Sequence, residues 1–184
     1  MINLVEKQYT PSTTELNFLT NTLYSPNFPW FRNIDVEGMD NLLGETNNEQ
    51  YYFSHNLMGR DPTKTARMGI VNSPHYITCE QIFKNFCREN NIKVKTIFRA
   101  SLNLTFHAEK LHSAIHVDHN FEHKNFIMYL SDSFGDTFIF DEKYNLVTSV
   151  KPELYKGIVF DGLPHAQGFC KAGDMRQVLV FTFI

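Results

Sequence analysis

The sequence predicts a mainly β protein, a jelly roll or double-sheet barrel, with supporting helices at its N-terminal end. The chain has 184 residues, 42% of them hydrophobic, which is enough for one domain over residues 1–184 with a core of its own. Two early segments have helical spacing, whereas short strand-like segments separated by turn residues fill the rest. These patterns place helical support and substrate loops in 1–91 and the β core in 92–184.

Two helices are predicted in the first half. Ser12 and Glu15 have the spacing of a capping box, and leucines follow at helical spacing, so a helix is expected over 13–23, with Leu16, Leu19 and Leu23 on its apolar face. Thr78 is the expected cap of a second helix that ends near Asn90. Its apolar stripe consists of Cys79, Ile82, Phe83 and Phe86.

The strand predictions rest on alternation. From Phe98 to Phe106, apolar residues alternate with polar ones at a period of two, which is typical of a half-buried strand. A polar loop is expected over 35–50, with a short strand at 51–53. The remaining predicted strands are 113–118, 124–131, 136–140, 146–150, 157–161, 164–169 and 174–183.

Composition excludes several classes of protein. The formal net charge of −3 indicates no large basic surface for nucleic acid. No apolar run approaches the ~20 residues that a membrane helix needs, and the first residues lack the pattern of a secretory signal. The three cysteines, Cys79, Cys87 and Cys170, form no CxxC pair and indicate a reducing compartment, and Cys79 and Cys87 on the second predicted helix are expected to be buried thiols. A cytoplasmic location is therefore expected.

A metal site is predicted from two histidines and a carboxylate. In a strand, His116 and Asp118 would project from the same face, and His165 follows a turn that can bring it beside them. Three such ligands leave three octahedral positions open, which suits a non-haem Fe(II) centre, whereas a structural zinc site needs a fourth ligand. The neighbouring histidines are expected to be exposed or hydrogen-bonded in loops: His107, His112, His119 and His123.

Arg176 is the second candidate site residue. It shares a predicted strand face with Val178, Val180 and Thr182, and a guanidinium on an apolar face is costly unless an anion neutralises it. Its planar fork matches a carboxylate, so a dicarboxylate cosubstrate is expected there. The alternative is an arginine on an edge strand that reaches solvent.

The pattern His116, Asp118, His165 and Arg176 resembles that of the 2-oxoglutarate and Fe(II)-dependent oxygenase superfamily. The closest resemblance is to its prolyl hydroxylase-like branch, including short stand-alone forms from bacteria and viruses. The resemblance implies a double-stranded β-helix, the cupin-like form of the jelly roll. It also implies that the first three residues bind iron and that Arg176 pairs with the distal carboxylate of 2-oxoglutarate.

Two further stretches carry the resemblance. The segment 127–132 is similar to the family strand whose tyrosine contacts the same carboxylate, so the role passes to Tyr129. The segment 134–140 is similar to the family's Gly-Gly-x-Thr-x-Phe turn. Asn103 stands where related branches contact the 1-carboxylate, with a hydrogen-bonded barrel residue as the alternative. The sequence departs from the branch at Ser131, Asp136 and Val178.

The implied reaction uses Fe(II), 2-oxoglutarate and dioxygen, hydroxylates a C–H bond and releases succinate and CO2. A prolyl residue is one candidate substrate, and no catalytic residue is expected beyond the metal ligands. Because Asp118 is present, hydroxylation is favoured over halogenation. A protein, peptide or small-molecule substrate is favoured over nucleic acid.

Two alternatives stay open at this point. One is a nucleobase demethylase of the same superfamily, since an aromatic group could stack a base: Trp30, Phe31, Tyr51 and Tyr52. The other is a cupin-like metal-binding protein without oxygenase activity, which would not need Arg176 as an anchor. Residues 24–76 contain no readable substrate motif, and His55, Arg60 and Arg67 are candidates only as polar residues in loops.

Overall fold

The structure is a computed structural model that describes residues 3–33, 52–60 and 68–184. The predicted loop at 35–50, Tyr51 and Arg67 lie outside these residues. The helices are α1 (Thr13–Phe18), which continues as a π-helical turn over Leu19–Leu23, and α2 (Tyr76–Glu89). The strands are β1 (Leu4–Gln8), β2 (Phe31–Asn33), β3 (Tyr52–Gly59), β4 (Ile70–Val71), β5 (Ile97–Phe106), β6 (Lys124–Tyr129), β7 (Thr137–Phe140), β8 (Leu146–Val150), β9 (Lys156–Asp161), β10 (His165–Gln167) and β11 (Met175–Phe183).

Two antiparallel sheets form the core of the fold. The larger has the order β1-β9-β6-β11-β5-β3-β2, with β4 paired to β3, and the smaller has the order β10-β7-β8. Apolar side chains from both sheets pack in one cluster, in which Ile139 and Val150 of the smaller sheet meet Tyr129, Ile158 and Val178 of the larger. The predicted mainly β jelly roll is therefore confirmed.

Helix α2 covers the outer face of the larger sheet. The ring of Phe83 stacks on Phe181 of β11, with centroids 4.5 Å apart and planes 9° from parallel. Phe86 lies so close to β9 that a Cβ on Gly157 would stand 2.4 Å from its ring, so only glycine fits there. Cys79 and Cys87 are buried free thiols, as predicted.

Helix α1 begins where the sequence predicts, but its buried face is different. Ser12 and Glu15 form the predicted capping box. Leu19 and Leu23 are each 1% exposed, whereas Leu16 is 43% exposed, so the prediction for Leu16 is wrong. The buried carboxylate of Glu15 accepts hydrogen bonds from Tyr9 and Asn85 instead. Residues 15, 19 and 23 are each four apart and form the buried row, and Leu16 lies beside this row on the side that faces solvent.

Helix α2 begins before the predicted cap. Its N-cap is His75, and Thr78 lies inside the helix without capping it. The preceding turn is closed by Ser73, whose hydroxyl accepts a hydrogen bond from the backbone N–H of His75 at 3.2 Å. The helix ends at Glu89 with Asn90 as its C-cap, near the predicted end.

The predicted strand over 113–118 is wrong. The segment contacts β10 through an isolated bridge between His116 and His165 and a backbone bond from Ser113 to Gln167, and the adjoining His112 forms a second isolated bridge with Gly168. Its partner β10 has three residues and directly follows Pro164, which has no N–H to donate, so no continuous ladder forms there. In the described part of the chain, no helix is long and apolar enough to span a membrane.

Candidate metal centre and adjoining pocket

The structure brings His116, Asp118 and His165 together. One ligand atom from each lies within 4.8 Å of the other two, and all three side chains are buried. The backbone of His116 is bonded to that of His165 in both directions, at 3.0 and 2.9 Å. This single bridge holds the two imidazoles side by side, with ring centroids 4.3 Å apart.

Both imidazoles are held in the tautomer that metal binding requires. Nδ1 of His116 lies 3.1 Å from the carbonyl of Ala114, and Nδ1 of His165 lies 2.9 Å from the carbonyl of Leu163. A carbonyl oxygen only accepts, so each Nδ1 carries the proton and donates it. Each Nε2 therefore keeps a free lone pair for a metal ion.

The two oxygens of Asp118 have different surroundings. Oδ2 lies 3.5 Å from Nε2 of His165, on the side of the imidazoles. Oδ1 accepts from Arg60 at 3.1 Å and from Arg99 at 3.2 Å. Oδ2 is therefore the oxygen placed to bind a metal, while the two guanidinium groups hold Oδ1 and fix the carboxylate.

The protonation states at this site suit a cation. Burial lowers the pKa of His116 to about 3, with His165 nearby as a further cause. Burial alone would raise the pKa of Asp118, but the neighbouring His165 and the charge of Arg99 hold that pKa well below its usual range. A neutral imidazole and an ionised carboxylate are the forms that bind metals at neutral pH.

A pocket adjoins the ligands, and inward-facing residues of β5, β11 and β6 form its floor. Strand register places Arg99 opposite Thr182, and Thr182 opposite Asn125. Arg99 contacts Asp118, and Phe160, the register partner of Asn125, packs edge to face on His165 at 5.3 Å. The row Arg99–Thr182–Asn125 therefore adjoins the candidate metal ligands. The rows that follow along the strands are Ser101–Val180–Ile127, Asn103–Val178–Tyr129 and Thr105–Arg176.

Arg176 lines the pocket three rows away from the metal ligands. It is 2% exposed, and β11 lies between β5 and β6, so the alternative of an edge-strand arginine in solvent is wrong. Its Nη2 donates to Thr137 at 2.9 Å, while Nε has no partner and no ion pair to it occurs among the described residues. Burial lowers the pKa of Arg176, because removal from water disfavours the charged form.

Tyr129 lies beneath Arg176 rather than on the pocket surface. Its ring centroid is 5.4 Å from the guanidinium carbon, and its hydroxyl bonds Thr137 at 2.7 Å. Asn103 lines the pocket in the row of Tyr129, not in the row at the metal ligands. Its Oδ1 accepts from the hydroxyl of Ser101 at 2.5 Å.

The four histidines near the candidate ligands are hydrogen-bonded, in line with the sequence prediction. Three of them bond backbone carbonyls through Nδ1, namely His107, His112 and His123. His119 bonds the hydroxyl of Thr182 at 2.8 Å. His55 is not a pocket residue, because it is buried in β3 and joins Pro29 to Ser73.

Arg99, Asn125 and Thr137 are among the polar pocket residues that sequence reasoning missed. A signal existed for Arg99, which is a polar residue on the alternating strand 98–106, whereas Asn125 precedes an unbroken apolar run over 126–130 that has no period of two. Thr137 stands within the segment 134–140 that carries the family resemblance. Their convergence depends on strand register, which the sequence does not display.

No protein-family model matches this chain, and no curated protein matches it in sequence. Solved structures do match it. A 2OG-Fe(II) oxygenase family oxidoreductase from Burkholderia pseudomallei aligns over 98% of this chain and 84% of its own, with a TM-score of 0.66 and 14% identity. The likeness to that protein extends over nearly the whole of the present chain.

Two prolyl hydroxylases are similar in the same way. One from Trichoplax adhaerens, in complex with a hypoxia inducible factor peptide fragment, aligns over 98% of this chain and 83% of its own, with a TM-score of 0.59 and 14% identity. A viral collagen prolyl hydroxylase from Paramecium Bursaria Chlorella virus-1, in a 2OG complex, aligns over 97% and 94%, with a TM-score of 0.54 and 12% identity. At these identities the likeness establishes the fold, which is the one these oxygenases share.

Proposed function

We propose that this protein is a 2-oxoglutarate- and Fe(II)-dependent dioxygenase that hydroxylates a C–H bond and releases succinate and CO2. One observation carries the proposal: three buried candidate metal ligands and a buried arginine with no ion-pair partner among the described residues line the same pocket. The three side chains would bind a cation, and the arginine would bind an anion. The fold shared with 2OG-Fe(II) oxygenases supports the same assignment.

The iron would be held by Nε2 of His116, Nε2 of His165 and Oδ2 of Asp118. The residues fit the ion, because both histidine lone pairs are free and the carboxylate is ionised. Two nitrogens and one oxygen leave positions open for other molecules, which is the donor set of non-haem Fe(II) oxygenases. When bound with its cosubstrate, this centre supplies the oxidising power of the reaction.

The distal carboxylate of 2-oxoglutarate would bind Arg176. Thr137 keeps one amino group of the guanidinium in place, and Tyr129 in turn supports Thr137. Val178 and Ile127 line the pocket between Arg176 and the metal ligands, where the methylene groups of the cosubstrate would pack and water would be excluded. Asn103, in the row of Tyr129, stays a candidate contact to the cosubstrate.

The substrate class we favour is a peptide or small molecule, with a prolyl residue as one candidate. The support is the fold shared with prolyl hydroxylases, one of which is described in complex with a peptide. The whole chain 1–184 would act as one oxygenase domain, and its cytoplasmic location stays a prediction. The cupin-like alternative without oxygenase activity leaves the buried charge of Arg176 unexplained.

One observation supports the nucleobase alternative. Tyr52 lines the pocket and could stack a base, whereas Trp30 packs against Phe28 at 5.1 Å and is not placed to do so. The net charge of −3 counts against a nucleic-acid substrate. Binding of methylated oligonucleotides in preference to prolyl peptides would favour this alternative.

The test is succinate formation from 2-oxoglutarate under air with Fe(II). The wild-type protein should form succinate, and His165→Ala and Arg176→Met should not. His112→Asn is the matched control, because that histidine bonds only a backbone carbonyl. If the iron-loaded wild type neither binds 2-oxoglutarate nor forms succinate, the proposed function is wrong.

A further inference from the structure

The carboxamide of Asn125 is buried in the pocket without a partner. The residue is 1% exposed, and neither its Nδ2 nor its Oδ1 has a hydrogen-bond partner among the described residues. Exchanging the two atoms would leave both unpaired, so the observation does not depend on how the amide is oriented. Buried polar groups in native proteins are nearly always paired, so a group like this one indicates a ligand.

Asn125 stands at the end of the pocket where the metal ligands lie. On one side its register neighbour is Thr182, whose hydroxyl is already bonded to His119. On the other side is Phe160, which packs against His165. Arg176 lies three rows away, so the two groups lie at opposite ends of the floor.

The chemistry of the unpaired atoms restricts what can bind there. A carboxylate or dioxygen only accepts hydrogen bonds, so either one would pair Nδ2 and leave Oδ1 unpaired. An ammonium or guanidinium only donates, so it would do the reverse. A group that presents a donor and an acceptor side by side pairs both atoms, as a primary amide or a lactam does, and as the N–H and C=O of one residue in an extended peptide do.

We propose that Asn125 binds the substrate through an amide group. Nδ2 donates to the amide carbonyl, and Oδ1 accepts from the amide N–H. An extended peptide offers this arrangement, because the N–H and C=O of one residue point to the same side of the strand. A lactam or primary carboxamide offers it in a small molecule. The proposal rests on the proposed function, since it takes the pocket to be the reaction site.

The experiment uses 15N-labelled protein loaded with Zn(II) in place of iron and saturated with 2-oxoglutarate. The side-chain NH2 signals of Asn125, identified by their loss in Asn125→Asp, report on contact with each probe. The probes are 2-pyrrolidone for a small amide and N-acetylalanine N-methylamide for a peptide unit. N-methyl-2-pyrrolidone, which lacks the N–H, and adenine, which presents a base edge, complete the set.

At least one amide probe should shift the Asn125 signals. The probe that does so shows whether the substrate amide belongs to a small molecule or to a peptide. N-methyl-2-pyrrolidone should bind about tenfold more weakly than 2-pyrrolidone or not at all, because Oδ1 loses its donor. Asn125→Leu should abolish this preference and leave affinity for 2-oxoglutarate within about threefold of wild type, the size of change expected without a lost hydrogen bond. Asn27→Leu, an exposed position, is the matched control and should preserve the preference.

Three results would overturn the proposal. A larger shift with adenine than with either amide would assign Asn125 to a base edge. Weaker 2-oxoglutarate binding in Asn125→Leu, without an effect on amides, would assign it to the cosubstrate. Unshifted signals with every probe would mean that solvent alone pairs the amide. Succinate formation by wild type is measured separately, so failure of the proposed function is distinguished from failure of this inference.

Discussion

Arg176 donates a hydrogen bond to the hydroxyl of Thr137 at 2.9 Å, and this bond joins the central strand of the larger sheet to the smaller sheet. The hydroxyl of Tyr129 lies 2.7 Å from the same oxygen and 3.3 Å from the carbonyl of Val150. Because that carbonyl only accepts, Tyr129 donates to it and accepts from Thr137. The guanidinium is thus held at the end of a hydrogen-bond chain that runs between the sheets.

Thr137→Val should weaken 2-oxoglutarate binding. The substitution keeps the shape of the side chain but removes the hydroxyl that positions Arg176, so affinity should fall about tenfold, with a loss of about 1–2 kcal/mol in the free energy of unfolding. Titration calorimetry with Mn(II)-loaded protein and urea denaturation measure the two effects. Thr148→Val on β8 is the control. Unchanged affinity would show that the bond to Thr137 does not matter for the cosubstrate.

Arg176→Met should separate stability from binding. A buried cation without an ion pair is costly, so the free energy of unfolding without ligands should stay equal or rise by about 1–2 kcal/mol. Affinity for 2-oxoglutarate should fall on the order of 100-fold, since a charge-assisted bidentate contact is lost. Arg176→Lys should restore only part of it, because an ammonium cannot form the planar fork. Full retention of affinity in Arg176→Met would place the carboxylate elsewhere.

His165→Ala should abolish tight metal binding without unfolding the protein. Removing one of three ligands should cost more than the ~10–100-fold loss typical of changes outside the ligand set. Titration with Mn(II) and thermal unfolding without metal provide the measurements, with His112→Asn as control. Equal Mn(II) affinity in His165→Ala and wild type would exclude His165 as a ligand.

The buried carboxylate of Glu15 should make the stability of the fold depend on pH, independently of any metal. Burial alone would raise the pKa of its carboxyl, but hydrogen bonds from Ser12, Tyr9 and Asn85 lower it below the ordinary value of 4.5. Because the folded pKa is the lower one, the carboxylate stabilises the fold above about pH 4.5, and this contribution is lost as the pH falls through the folded pKa.

Glu15→Gln should therefore reduce the free energy of unfolding by about 1–3 kcal/mol at pH 7. The difference from wild type should shrink as the pH falls below the ordinary value of 4.5, because the carboxylate then takes up a proton in the unfolded chain while it stays ionised in the folded one. Urea denaturation at several pH values measures it. Glu142→Gln, at an exposed position, should show no such trend. A difference that stays constant down to acidic pH would contradict this account.

The secondary-structure elements that depend on neighbouring residues in the sequence were predictable. Strand β5 follows from its alternation, and the start of α1 follows from the capping box of Ser12 and Glu15. Strands β1, β2 and β4 were not predicted, and β3 was predicted only at its first residues. These strands are short or carry little alternation, and they exist because a neighbouring strand offers an edge, as β9 does to β1.

Residue type and spacing alone identified four candidate site residues: His116, Asp118, His165 and Arg176. Alternation was the wrong reason for placing the first two together, since their segment is not a strand and its position comes from one bridge to His165. Only the tertiary structure brought Thr137 to Arg176, Arg99 to Asp118 and the unpaired amide of Asn125 to the metal ligands. Helix capping and strand alternation depend on residues a few positions apart, whereas these contacts depend on the register between strands that are far apart in the chain.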